Sequence, residues 1–200
     1  MFKSDLAFGQ IGESDIARWL RSRGHWVLPV YEKEIENGKG PRLFLPDGEL
    51  IAPDMLVLGK EVVWVEAKHK TAFTWYRKGG MFQTGIDLRH YMDYLKVQDE
   101  SPYDVWLLFL HRGGQAKDSP PSPSGLYGNA LSYLRQHEDH RSPPADTHPG
   151  GMVYWNIDVL RLMASLDEID KLSGRDVVSI DEQRRLEVRR RLAEIGTRGA

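Results

Sequence analysis

Two acidic side chains stand where strands, not loops, are expected. Asp54 interrupts the apolar run Leu50 to Leu58 (LIAPDMLVL), and Glu66 stands at the end of Glu61 to Ala67 (EVVWVEA), with Lys68 two positions on. Side chains alternate along a strand, so Glu66 and Lys68 share one face and Ala67 takes the other. Gly59-Lys60 joins the runs at hairpin length, and pairing brings Asp54 opposite the Glu66 end. Carboxylates drawn that close repel, and burying them is costly unless a cation intervenes. A hard divalent ion with oxygen ligands, Mg2+ or Mn2+, resolves the conflict. Taken singly, an Asp after Pro is ordinarily a turn and a Glu-x-Lys an exposed edge with a weak ion pair. The joint placement is more informative: both acids adjoin apolar β-runs, 12 residues apart, with Glu13 on a helix upstream.

The elements that must position them read as follows. Ile16, Ala17, Trp19 and Leu20 line one face of a helix over Ile11–Arg23, which Gly24 stops. His25–Tyr31 is a short edge strand because of Pro29, Arg42–Leu45 another strand, and Pro46-Asp47-Gly48 a turn. The hairpin of Leu50–Leu58 with Glu61–Ala67 follows. Gly85–Gln98 has the spacing of a helix, and Tyr103–His111 (YDVWLLFLH) that of a central strand covered on both faces. Gly113–Gly151 turns to Pro, Ser, Gly and His and is expected to be an insertion or long surface loop, with a short helix at Leu126–His137. Met152–Ile157 reads as a strand, Val159–Leu172 as a helix, and Asp181–Ile195 as a strongly charged helix.

Composition narrows the function classes. The 200 residues carry 27 basic and 29 acidic side chains, a net charge of −2, so a polycation that coats nucleic acid or membrane is excluded. The chain has no cysteine, which removes disulfides, thiolate zinc sites and cysteine nucleophiles. It has neither a signal-peptide core nor an apolar run long enough to span a bilayer, so a soluble cytoplasmic protein is expected. The even balance hides a segregation: residues 1–66 are net acidic, whereas 68–96 carry Lys68, Lys70, Arg77, Lys78, Arg89 and Lys96 against Asp87 and Asp93, a net +4. A solvated helix face gives such a count, and so does a polyanion site beside bound cations.

Pro53-Asp54 followed by Glu66-Ala67-Lys68, with Gly12-Glu13 on a helix that ends at Gly24, resembles the PD-(D/E)XK nuclease superfamily and in particular the arrangement in archaeal Holliday-junction resolvases. The motif is short, and the resemblance covers residues 9–112, about half the chain. It implies an α/β, restriction-endonuclease-like core, a mixed central sheet flanked by helices, with the Pro-rich insertion at about 113–151 inside a domain of 1–172 and a charged helical extension over 173–200. It also implies that Asp54 and Glu66 bind the metal, that the Ala67 carbonyl and Glu13 complete the site, and that Lys68 orients or helps deprotonate the attacking water. Gln10 or Asp15 could replace Glu13 if the helix is turned differently. One or two metals would fit.

The implied activity is divalent-metal-dependent hydrolysis of DNA phosphodiesters, by an endonuclease or structure-directed nuclease of repair, restriction or mobile-element type. A non-catalytic nucleic-acid-binding module retaining the fold is the alternative. DNA as partner rests on the superfamily's habit, and a homodimer follows for an enzyme that must cut both strands. The stretch KHKTAFTWYRKGGMFQTG, expected to be a loop, interleaves basic and aromatic residues, as phosphate contact and base stacking require. Lys70, Trp75, Arg77, Lys78, Gln83 and, on the following helix, Tyr91 are the expected nucleic-acid contacts. The same aromatics could instead pack in the core, and Tyr91 and Tyr94 are at the spacing of core residues.

Overall fold

A computed structural model describes residues 2–30, 41–46, 48–115, 119–146 and 149–174. The elements are α1 (Phe2–Ser22), β1 (Trp26–Pro29), β2 (Arg42–Leu45), β3 (Gly48–Ile51), β4 (Met55–Leu58), β5 (Val62–Lys70), β6 (Thr74–Tyr76) and β7 (Met81–Asp87). Then come α2 (Leu88–Glu100), β8 (Asp104–Arg112), β9 (Ser124–Ala130), α3 (Leu131–Gln136), β10 (His140–Ser142), β11 (Met152–Asn156), β12 (Arg161–Ala164) and α4 (Leu166–Leu172). The fold is α/β. A mixed six-stranded sheet of order β1-β4-β5-β8-β9-β12 forms its centre, a four-stranded sheet of order β10-β11-β7-β6 a second layer, and β2-β3 a separate hairpin.

Strand β5 is the axis of the main sheet. It pairs antiparallel with β4 through Val62–Val65 and parallel with β8 along its whole described length. Alternation then divides the core. Val65 and Ala67 face α1 and α4, packing with Ile16, Trp19, Leu20, Leu108, Leu110 and Ile169. The other face of the sheet, with Leu107 and Phe109 of β8, packs against Tyr91 and Tyr94 of α2, Leu131 and Leu134 of α3, and Val153 and Trp155 of β11. Both faces of β8 are therefore covered, which is why its sequence is almost continuously apolar.

Glycine permits two close approaches. A Cβ at Gly12 would lie 2.3 Å from that of His69, so α1 rests directly on β5 only because position 12 has no side chain. At Gly128 a Cβ would lie 2.7 Å from the Leu107 carbonyl, which lets β9 lie flat against β8. Helix α4 begins with Ser165 accepting from the Glu168 amide at 3.2 Å. The Glu168 carboxylate accepts instead from Trp19 Nε1 at 3.2 Å and Arg23 at 2.7 Å, tying α4 to α1.

Several expectations are corrected. The Leu50–Leu58 run is broken at Ala52–Asp54 into strands of different sheets. KHKTAFTWYRKGGMFQTG is not a loop: it holds the end of β5 and a β6–β7 hairpin, and α2 starts at Leu88 rather than Gly85. Residues 113–151 are more than a surface insertion, since β9 from this segment pairs with β8 inside the main sheet. The helix expected at Leu126 starts at Leu131, and a strand β12 replaces the first part of the helix expected over Val159–Leu172. The charged helix expected over 181–195 lies outside the described residues. None of the described helices is long and apolar enough to cross a membrane.

Candidate active site

The β4–β5 ladder pairs Met55 with Val65, and continuing this register sets Asp54 opposite Glu66. Beyond Val65 the β4 side of β5 has no ladder partner, so the Ala67 amide would be an orphan donor. Asp54 Oδ2 accepts from it at 2.8 Å. The aspartate thus finishes the strand pairing and is fixed by it, with its carboxylate on the face shared by Glu66 and Lys68.

Glu66 is 1% exposed. Two partners hold its carboxylate: the Lys68 ammonium, which pairs with Oε1, and the Tyr94 hydroxyl from α2. Burial, then the charges of Glu66 and Asp54, push the Tyr94 phenol well above its usual range. Glu13 reaches the group from α1, brought close by the Gly12 contact. Asp15 does not: it belongs to a second cluster on the opposite face, where Arg112 donates to Asp15 at 2.7 Å, Asp170 at 2.6 Å and His69 Nε2 at 2.8 Å. Ser173 donates to the other Asp15 oxygen at 2.6 Å. The helix rotation left open by the sequence is therefore fixed with Glu13 at the site.

The electrostatics of the three acids are under-compensated. Burial raises the Asp54 carboxyl well above its ordinary range, Glu66 and Glu13 add to the rise, and Lys68 with the Ala67 amide opposes it. Burial likewise raises Glu13, against the pull of Lys68 and with a further push from Glu66. For Lys68, burial disfavours the ammonium, but Glu66, Asp54 and Glu13 together outweigh it and hold the amine above the ordinary lysine range. One ammonium thus faces three carboxylates.

His90, one turn into α2, also lies in this field. Burial and Lys68 lower its pKa, opposed by Glu66 and Asp87.

The residues present fit a hard cation in a limited way. Three carboxylates share one ammonium, and the set is all oxygen, as Mg2+ or Mn2+ prefers. Among the described residues, no three Asp, Glu, His or Cys side chains converge closely enough to hold an ion by themselves. The fit is therefore to a site of one or two carboxylates whose remaining ligands are water, substrate phosphate and backbone carbonyl, the usual pattern for Mg2+.

The expected nucleic-acid contacts divide into two groups. Lys70 follows Lys68 on the same face of β5, and burial plus Lys68 lower its amine to about 8. Arg77 and Lys78 are exposed at the β6–β7 turn, and Trp75 is half-buried on β6, its ring 4.9 Å from that of Phe82. Gln83 and Tyr91 must be corrected. Gln83 is 1% exposed and donates to Asp139 at 2.7 Å and Asn156 at 2.8 Å. Tyr91 is fully buried, donates to Glu138 and packs on Trp155.

No protein-family model matches the chain, and no curated protein is significantly similar to it. Among solved structures the chain is similar to a Holliday junction resolvase of Archaeoglobus fulgidus, at 8% identity and a TM-score of 0.46, over 80% of this chain and 98% of that one.

Proposed function

We propose that this protein is a divalent-metal-dependent nuclease that hydrolyses DNA phosphodiesters at the Asp54, Glu66, Lys68 and Glu13 group. The observation that carries the reading is the charge balance at the end of β5, where the buried Glu66 and the half-buried Asp54 and Glu13 share the single ammonium of Lys68. A satisfied structural cluster would not be left in that condition.

Asp54 and Glu66 would hold the ion, with the Ala67 carbonyl and Glu13, directly or through water, completing its surroundings. When bound, a hard cation polarises a non-bridging phosphate oxygen and lowers the pKa of water. The residues of this chain do the positioning. Asp54 Oδ2 stays on the Ala67 amide, which leaves its other oxygen to face the site. Tyr94 and Lys68 fix the Glu66 carboxylate. Lys68, with its ammonium beside Glu66, orients or helps deprotonate the attacking water and stabilises the charge that builds on phosphorus-bound oxygen. Glu13 orients water from the α1 side. Lys70, Arg77 and Lys78 supply phosphate contacts along the strand leading away from the site.

One observation favours a second reading, a nucleic-acid-binding module without turnover: Asp54 and Glu66 each already have a protein partner, the Ala67 amide and Lys68. Incubation with linear, supercoiled, single-stranded and branched DNA in Mn2+ separates the two. The nuclease reading expects cleavage that chelator abolishes and that Asp54→Asn or Lys68→Ala reduces by at least about 100-fold, the scale of losing one group that stabilises transition-state charge. Tight binding with no cleavage in Mn2+ favours the module.

A further inference from the structure

Strand β5 runs directly from the candidate site into a groove. After Lys70 the chain continues through Thr71, Ala72 and Phe73 into β6, and these residues with Trp75, Arg77 and Gln115 bound a recess of about 580 Å³, within the size range of sites that bury one small organic group. Thr71 is three steps along the chain from Lys68, about 10 Å at the usual rise per residue of a strand.

The groove is built, not incidental. The Gly114 amide donates to the Thr71 carbonyl at 3.1 Å, prolonging the β5–β8 pairing past the strand ends, and Ser122 donates to the Gly114 carbonyl at 3.3 Å. Phe73 is locked from two sides: its amide donates to Ser122 Oγ at 2.9 Å, and its ring stacks on His111 at 3.5 Å, 9° from parallel. Burial and the nearby Lys70 charge hold His111 down to about 3, so at neutral pH it is an uncharged stacking partner. Phe82 braces Trp75. The walls are thus fixed before any ligand arrives, which lowers the ordering cost of binding.

The chemistry of the recess points to its occupant. Thr71, Thr74, Trp75, Arg77, Gln115 and Ser119 line it, with the Gln115 carboxamide donating to the Ser119 carbonyl at 2.7 Å and no acid among the described lining residues. Arg77 lines it, and Lys68, Lys70 and Lys78 belong to the same stretch of sequence, 68–86, which contains no Asp or Glu. A flat π-surface with amide and hydroxyl partners inside a cationic border suits a nucleobase on a phosphate strand, and a paired base cannot offer its face to a side chain.

We infer that this groove takes an unpaired DNA base next to the phosphate held at the active site, so that the substrate is DNA with unpaired nucleotides beside the point of cleavage rather than intact duplex. The inference rests on the nuclease reading for its position in the reaction, but base capture itself needs neither metal nor turnover.

The test compares two strands with the full chain in chelator: a twelve-nucleotide thymidine oligomer and an equally long strand of abasic residues, which keeps the phosphates and removes the bases. Base stacking on aromatics contributes about 1–3 kcal/mol per base, so the thymidine strand is expected to bind roughly 5- to 150-fold more tightly. Trp75→Ala and, independently, Thr71→Phe, which fills the groove from an exposed position, should erase that preference while leaving affinity for the abasic strand unchanged. Should Trp75→Ala unfold for want of its contact with Phe82, Thr71→Phe alone decides. Equal affinity of the unaltered chain for both strands, no binding of either, or a preference that survives Thr71→Phe overturns the groove's role. If the preference is present and lost as expected but no DNA is cut in Mn2+, the groove stands and only the hydrolytic reading fails.

Discussion

The two faces of β5 carry two charge clusters built to different standards. On the α1 side, Arg112 meets Asp15, Asp170 and His69 with hydrogen bonds of 2.6–2.8 Å, and Ser173 takes up the remaining Asp15 oxygen. On the α2 side, Asp54, Glu66 and Glu13 surround one ammonium, and burial drives Asp54 and Glu13 toward the protonated form. Both sit on the same strand, so local stiffness and sheet geometry are shared. The difference lies in satisfaction: the first cluster closes on itself and joins α1, β5, β8 and α4, whereas the second leaves negative charge for something from outside to neutralise. Unrelieved charge in a rigid surrounding is what a binding site retains and a structural cluster eliminates.

That contrast can be broken by experiment. Arg112→Met leaves Asp15 and Asp170 without their common cation, and the expected loss is about 3–5 kcal/mol of unfolding free energy by denaturant titration, the usual result of orphaning a buried charge. A loss below about 1 kcal/mol would mean that the α1-side cluster is as loosely held as the other. Gly12→Ala tests how Glu13 is delivered. The added methyl meets His69 at a distance no packed side chain tolerates, so α1 must lift from β5, costing about 1–3 kcal/mol and reducing cleavage with it. Gly9→Ala on the same helix meets only Glu13 Oε1, at an ordinary 4.0 Å, so as the matched control it should stabilise by about 0.5–1 kcal/mol through helix propensity and lower neither stability nor cleavage.

A smaller effect is expected in the pH dependence. The folded-state pKa values of Asp54 and Glu13 are raised, so the folded chain binds more protons than the unfolded one just above the ordinary carboxylate range. Their contribution to stability is therefore fully present below that range and is lost as pH rises through the raised values. Burial lowers His111 and His90, which raises stability over the same span, so the decline is read as the difference between the unaltered chain and Asp54→Asn in denaturation midpoints from pH 4 to 8. Asp54→Asn keeps an acceptor for the Ala67 amide but removes a charge, so its advantage over the unaltered chain should grow as pH rises, one unit of displacement being worth about 1.4 kcal/mol. A difference that does not change with pH would mean that the acids on the α2 face are well compensated after all.

The candidate site was more legible in the sequence than the fold around it. Asp54, Glu66 and Lys68 could be related because strand alternation and a short turn fix their geometry locally. Glu13 was preferred, but Gln10 and Asp15 stayed open, because that choice depends on how α1 is rotated, which the Gly12–His69 contact sets across the tertiary structure. Tyr91 and Tyr94 share a spacing but diverge around α2, one toward Trp155 and the other toward Glu66.

The β6–β7 hairpin was hidden by its turn. Gly79-Gly80, with Gly80 at φ 62° and its amide on the Tyr76 carbonyl at 2.8 Å, reads as a flexible loop when the flanking strands are this mixed in composition. Strand β9 was missed because Gly125 and Gly128 depress strand propensity, yet at Gly128 the missing side chain is what permits contact with β8.

The most direct test of the central claim is the thermal unfolding of the unaltered chain against that of Asp54→Asn over a range of Mn2+ concentrations, without DNA. If the acids at the end of β5 hold a hard cation, the unaltered chain is stabilised progressively, by about 2.7 kcal/mol once Mn2+ reaches a hundred times its dissociation constant, and Asp54→Asn shows little or none of it. Unfolding that is indifferent to Mn2+, or that shifts equally in both proteins, would contradict the account.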